Sequence, residues 1–106
     1  MSGIWELVKA PDETGAHMNI TLLRCELTGV ALGVRTRANA KTSIEAKLGR
    51  ELDTAETTDL TALADNFETG TVEDRLVYNS KVEMALNASE LGLINETQFR
   101  TLVGIS

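Results

Sequence analysis

At 106 residues and a formal net charge of −6, with a pI near 4.7, the chain is the size of one domain. Its acidity disfavours direct nucleic-acid binding, which draws on basic patches. Hydrophobic residues make up 42% and aromatics only 4%, so a core would rest on Leu, Val, Ile and Ala. No stretch reaches the ~20 apolar residues of a membrane-spanning helix.

Residues 1–17 read as an N-terminal arm, followed by a single helical domain over 18–106. The arm holds a short apolar patch, Ile4, Trp5, Leu7 and Val8, before Pro11-Asp12-Glu13-Thr14-Gly15 breaks the chain. It has neither the basic start nor the apolar core of a signal peptide. Trp5, the only tryptophan, suits either burial against the body or a neighbour's pocket, because Trp is enriched at binding hot spots.

From Asn19 the period is helical. Ile20, Leu23, Leu27, Val30, Ala31 and Val34 share one side of a wheel. Asn19 can cap this helix and Met18 can staple onto Leu23. Gly29 and Gly33 allow close approach of another helix or mark a break near 33. Cys25, among Leu22, Leu23 and Leu27, reads as a small core residue, and His17 as part of a loop.

Thr42 and Glu45 have capping-box spacing and predict a short helix with Ile44, Leu48 and Leu52 on one side. Asp53 and Glu56 predict the next, with Leu60, Leu63, Ala64 and Phe67 inward and Gly70 as its end. Thr71 and Asp74 open the longest unbroken segment, which Gly92 stops. Its apolar residues form two arcs. One is Val72, Leu76, Tyr78, Val82 and Leu86, and the other Val77, Met84, Ala85, Ala88 and Leu91. A helix apolar on several sides is either central to a bundle or touches a second partner. Asn95 and Gln98 cap a last short helix with Phe99, Leu102 and Val103 on one side. The expected fold is all-α, a small irregular bundle of four to five helices with an N-terminal arm.

Chemical motifs are missing. Around Asp65 an EF-hand would need oxygens where Phe67 and Leu76 stand. Gly29-Val-Ala-Leu-Gly33 lacks the Gly-Lys-Ser/Thr end of a phosphate loop. One Cys and one His supply neither a zinc ligand set nor a supported Cys–His pair. Three Asn-x-Ser/Thr sequons occur, at Asn19, Asn87 and Asn95, and helix capping accounts for the first and third. No catalytic residue, cofactor site or metal site is expected.

Charge is uneven. Residues 1–50 hold five acids and seven bases, a net of +2, and residues 51–106 hold eleven acids and three bases, a net of −8. Arg35, Arg37, Lys41, Lys47 and Arg50 form a basic cluster. Glu51, Asp53, Glu56, Asp59, Asp65, Glu68, Glu73 and Asp74 form an acidic one. Such polarity suits head-to-tail contact between copies, with complementary patches setting register.

The segment ELGLINETQFRTLVG, residues 90–104, resembles the short helix–Gly–Leu–Ile–helix modules of SHOCT-type oligomerisation domains and the ends of small phage tail proteins. That resemblance covers about the last 20 residues and implies self-assembly or docking on a larger particle. The expectation is therefore a non-enzymatic assembly subunit, cytoplasmic or virion-associated, with protein partners and a homo-oligomer or larger assembly as its setting. The rival expectation is a small acidic regulator that blocks a larger protein through Asp59, Asp65 and Glu68. The interface candidates are Trp5, Arg35, Arg37, Asp59, Asp65, Tyr78, Met84 and Phe99.

Overall fold

The structure is a computed structural model and describes residues 3–9 and 17–106, with side chains in the second segment described from Asn19 onward. The fold is all-α. Six helices follow one another among the described residues: α1 Trp5–Val8, α2 His17–Ala31, α3 Arg37–Leu48, α4 Thr54–Glu68, α5 Val72–Glu90 and α6 Glu96–Val103. The sixth helix beyond the four or five expected is α1, a single turn within the expected arm. Helix α2 packs against α1, α3, α4 and α5, and α5 packs against α1, α2, α4 and α6.

Local capping explains where three helices start. Asp53, Thr71 and Asn95 each accept a hydrogen bond from the backbone three residues on, and Glu56, Asp74 and Gln98 reach back to the cap's own N–H. These reciprocal boxes satisfy two otherwise orphaned donors at each start. The predicted box at Thr42 does not form. Helix α3 begins earlier, capped by Thr36, whose side chain accepts from Asn39 N. Thr42 instead donates to Ala38 O, and Glu45 accepts from Leu52 N beyond the helix end. Thr42 is thus an interior helical residue bonding back to the preceding turn. Helix α2 includes His17, so Asn19 lies inside it and is not its cap. The proposed Met18 staple falls outside the described side chains.

The core gathers Leu23, Leu27 and Val30 of α2, Ile44 of α3, Leu60, Leu63 and Phe67 of α4, Val82 and Leu86 of α5, and Phe99 and Val103 of α6. Phe67 meets the edge of Tyr78 at a centroid distance of 4.8 Å and 75° between planes, a favoured T-shaped geometry. The apolar face predicted for α4 is buried throughout.

The described part of the expected arm, residues 3–9, packs on its own body, with Ile4, Leu7 and Val8 among the core residues. Three other expectations are corrected by packing. Cys25 is exposed: the side of α2 that carries Ile20, Leu23 and Leu27 turns it outward. One residue on, Glu26 is fully buried, with Arg35 Nε 3.2 Å from its carboxylate. Gly29 makes that closure possible, since a Cβ there would stand 2.6 Å from Arg35 Cγ. The small residue admits an arginine stem and not a second helix. Val34 leaves the apolar face because α2 ends at Ala31 and Gly33 turns the chain at φ +77°.

A candidate docking face on the outside of α5

Helix α5 is expected either to sit centrally or to touch a second partner; it packs against α1, α2, α4 and α6 and leaves one side open. Its buried residues are Val82, Ala85, Leu86 and Ser89, all in its second half. A polar strap fixes that half to α2. Arg24 Nη2 donates to Asn87 Oδ1 at 2.8 Å, and Thr28 donates to Glu83 at 3.3 Å. The first half is held mainly through Tyr78, whose hydroxyl donates to Val103 O and accepts from Asn66 Nδ2. Burial pushes the Tyr78 hydroxyl's pKa up, and the Asn66 hydrogen bond opposes that rise.

The opposite face is open. Val77, Met84 and Leu91 keep 60%, 61% and 72% of their surface exposed. They are seven residues apart, a spacing at which a helix drifts only about 20°, so they form one row along the axis. Ser80 and Ala88 lie beside them, with Glu73 and Lys81 at the margin. Val72 and Leu93 are also exposed, Val72 on another side of α5 and Leu93 past its end. Beyond Leu93, Ile94, Thr97, Gln98, Thr101 and Leu102 line an open groove of about 340 Å³. Single exposed apolar residues are ordinary on a surface, whereas a contiguous patch marks a contact site.

Of the eight sequence-predicted interface residues, Met84 alone lies on this row. Phe99 is buried, and Trp5 packs on it at 5.7 Å. Asp59 is corrected as an interface residue: it is 6% exposed and serves the interior. Its carboxylate accepts from Arg100 at 3.0 and 2.7 Å and from Ile4 N at 2.9 Å. The arginine contact thereby joins α4 to α6, and the amide contact joins both to α1. That hydrogen bonding, together with one to Glu96, raises the Arg100 pKa. Phe99, buried, and Tyr78, half-buried, hold α6 against the bundle.

The basic cluster does not form a free pole. Arg35 meets Glu26, Arg37 meets Asp65 at 3.7 Å, Lys41 meets Glu45, and Arg50 meets Glu56 at 2.8 Å. Four of its five members are therefore paired inside the chain. The Arg50 hydrogen bonds, with further help from Asp53, hold the Glu56 carboxyl below the usual glutamate range against the opposing effect of burial. The acidic blocking face is weakened in the same way, since Asp59 is internal and Asp65 faces Arg37.

An open hollow of about 410 Å³ is lined by Asn66, Thr69, Gly70, Asp74 and Tyr78. Its polar groups are committed to the fold: Asp74 caps α5 and Asn66 also donates to Val103 O and Gly104 O. Among the described residues no group of three His, Cys, Asp or Glu side chains could hold a metal ion. No helix among them is long and apolar enough to cross a membrane.

No family model matches this chain, and no curated protein and no solved structure matches it. The row on α5 was partly legible beforehand, since Val77, Met84 and Leu91 already share an arc. What the arc lacks is a sign saying which of two apolar sides faces inward.

Proposed function

We propose that this protein is a non-enzymatic assembly subunit that docks through the outer face of α5, on another copy or on a larger particle. One observation carries the reading: Val77, Met84 and Leu91 form a row of exposed apolar side chains on a helix whose other side is already packed. Each side chain is worth about 1.5–3 kcal/mol when fully buried, so leaving three in water is a standing cost that a partner would remove. The likeness of residues 90–104 to oligomerisation and phage-tail modules supports the same reading, with a virion head–tail or tail component as its most specific form. Charge adds little, because four of the five residues of the basic cluster are already paired within the chain.

The test is Met84→Glu, which puts a charge at the centre of the row and leaves the core untouched. Self-association and particle binding should both weaken while the melting temperature stays within the range of a surface substitution. Association unaffected by Met84→Glu would contradict docking through this face.

A further inference from the structure

Building on that docking reading, we infer that the partner of the α5 face is the same face of a second copy, running antiparallel about a two-fold axis at Met84. The row is symmetric about this residue. Val77 and Leu91 stand seven residues to either side of it, about 10.5 Å along the axis. Turning one helix over therefore places Val77 against the second copy's Leu91 and Met84 against its own equivalent. The residues four to either side, Ser80 and Ala88, also exchange places. Both are small, which allows the two helices to approach at the usual 8–10 Å between axes. An interface of this kind is isologous and closes at two subunits.

Charge favours the antiparallel arrangement over the parallel one. Glu73 and Asp74 sit in the first turn of α5, and Glu73 lies four residues before Val77 on the row's own side. In parallel pairing these acids would meet their equivalents, a like-charge contact that costs affinity. In antiparallel pairing Glu73 lies past the second copy's α5 end at Glu90 and away from its own equivalent. The antiparallel pair also sets opposite ends of the two helix dipoles together.

Area sets the strength. The row from Val77 to Leu91 follows a single helix, α5 with its C-cap, as a strip about 21 Å long. A single helix-on-helix strip falls below the roughly 800 Å² per partner of a standard stable interface. The pairing is consequently a concentration-dependent dimer and not an obligate one.

Cysteine cross-linking reads the geometry directly. Cys25 is exposed, so the experiment uses a Cys25→Ser background. Facing Cβ atoms about 3.5–4.5 Å apart close a disulfide. Under mild oxidation Met84→Cys should yield a covalent dimer. Val77→Cys and Leu91→Cys should cross-link when mixed and not when either is alone, and Ala46→Cys on α3 is the off-face control. Met84→Glu should raise the dimer dissociation constant at least tenfold, with an unchanged thermal melt at concentrations where the wild type is monomeric. Self-cross-linking of Val77→Cys alone, or a Met84→Cys yield no higher than the control, would overturn the inference. A protein that stays monomeric yet binds a larger particle through Met84 would also overturn it, while leaving the docking reading intact. Loss of that reading itself would appear as association of every kind indifferent to Met84→Glu.

Discussion

At the junction of α1, α4 and α6 a carboxylate has been taken out of water and its oxygens engaged by Arg100 and the Ile4 amide. On the outer face of α5 three large apolar side chains keep 60–72% of their surface. In the first region polar chemistry is internal, and in the second apolar chemistry is external. Both invert the ordinary partition of residue types, but the inversions differ in kind. The junction is complete within the chain, because the charges have met their partners. The α5 face is incomplete, because nothing among the described residues covers it. The contrast separates residues that hold the fold from residues free to hold something else.

Substitutions sharpen that contrast, and the interior should give the largest effects. Phe67→Ala empties a fully buried site and should cost about 3–5 kcal/mol, read by chemical denaturation. Arg100→Ala leaves Asp59 buried without its cation. Breaking a buried pair costs about 3–5 kcal/mol, and the 18% exposure of the Arg100 side chain puts this one near the lower figure. Proteolysis should then cut first around α1, whose amide shares that carboxylate. Gly3→Ala probes the same junction from the other side. Gly3 has φ +56°, and a Cβ there would stand 2.1 Å from Asp59 Oδ2. A left-handed residue with a side chain costs about 1–2 kcal/mol, and the displaced carboxylate adds to that, again seen by denaturation.

The Arg50–Glu56 pair supplies a test by pH. Its folded-state glutamate pKa is depressed by the Arg50 hydrogen bonds. The stability it contributes is therefore fully present above the ordinary glutamate pKa of about 4.3 and is lost as pH falls through the depressed value. Glu56→Gln should lower the melting temperature at neutral pH and flatten its fall on acidification. An unchanged acid slope would assign the pH dependence to other carboxylates. The smallest effect on stability belongs to the open face, where Met84→Glu and Leu91→Glu should stay within about 0.5 kcal/mol.

Much of the fold was legible because its signals are local. The boxes at Asp53, Thr71 and Asn95 each need two residues three apart, and all three formed. The α4 face was legible because Leu60, Leu63, Ala64 and Phe67 leave one inward side. Thr42 misled because its hydroxyl had a carbonyl within its own helix, and the better start lay at Thr36. Cys25 misled because its apolar neighbours in sequence lie on other sides of the turn. Asp59 and Arg100 are 41 positions apart, and Arg35 reaches Glu26 only because Gly29 is bare. Contacts of that kind are set by tertiary packing and leave no mark in a window of sequence. The docking face sits between these cases: its period is local, but its exposure depends on which side of α5 the other helices cover.

The most direct test of the account is sedimentation equilibrium of the wild type and Met84→Glu over a wide concentration range, with thermal melts in parallel. The wild-type mass should climb from one chain toward two and the Met84→Glu mass should stay at one, with melts that superimpose at low concentration and a wild-type melt that rises above the variant's where the dimer forms. Identical mass curves for the two proteins would contradict the account.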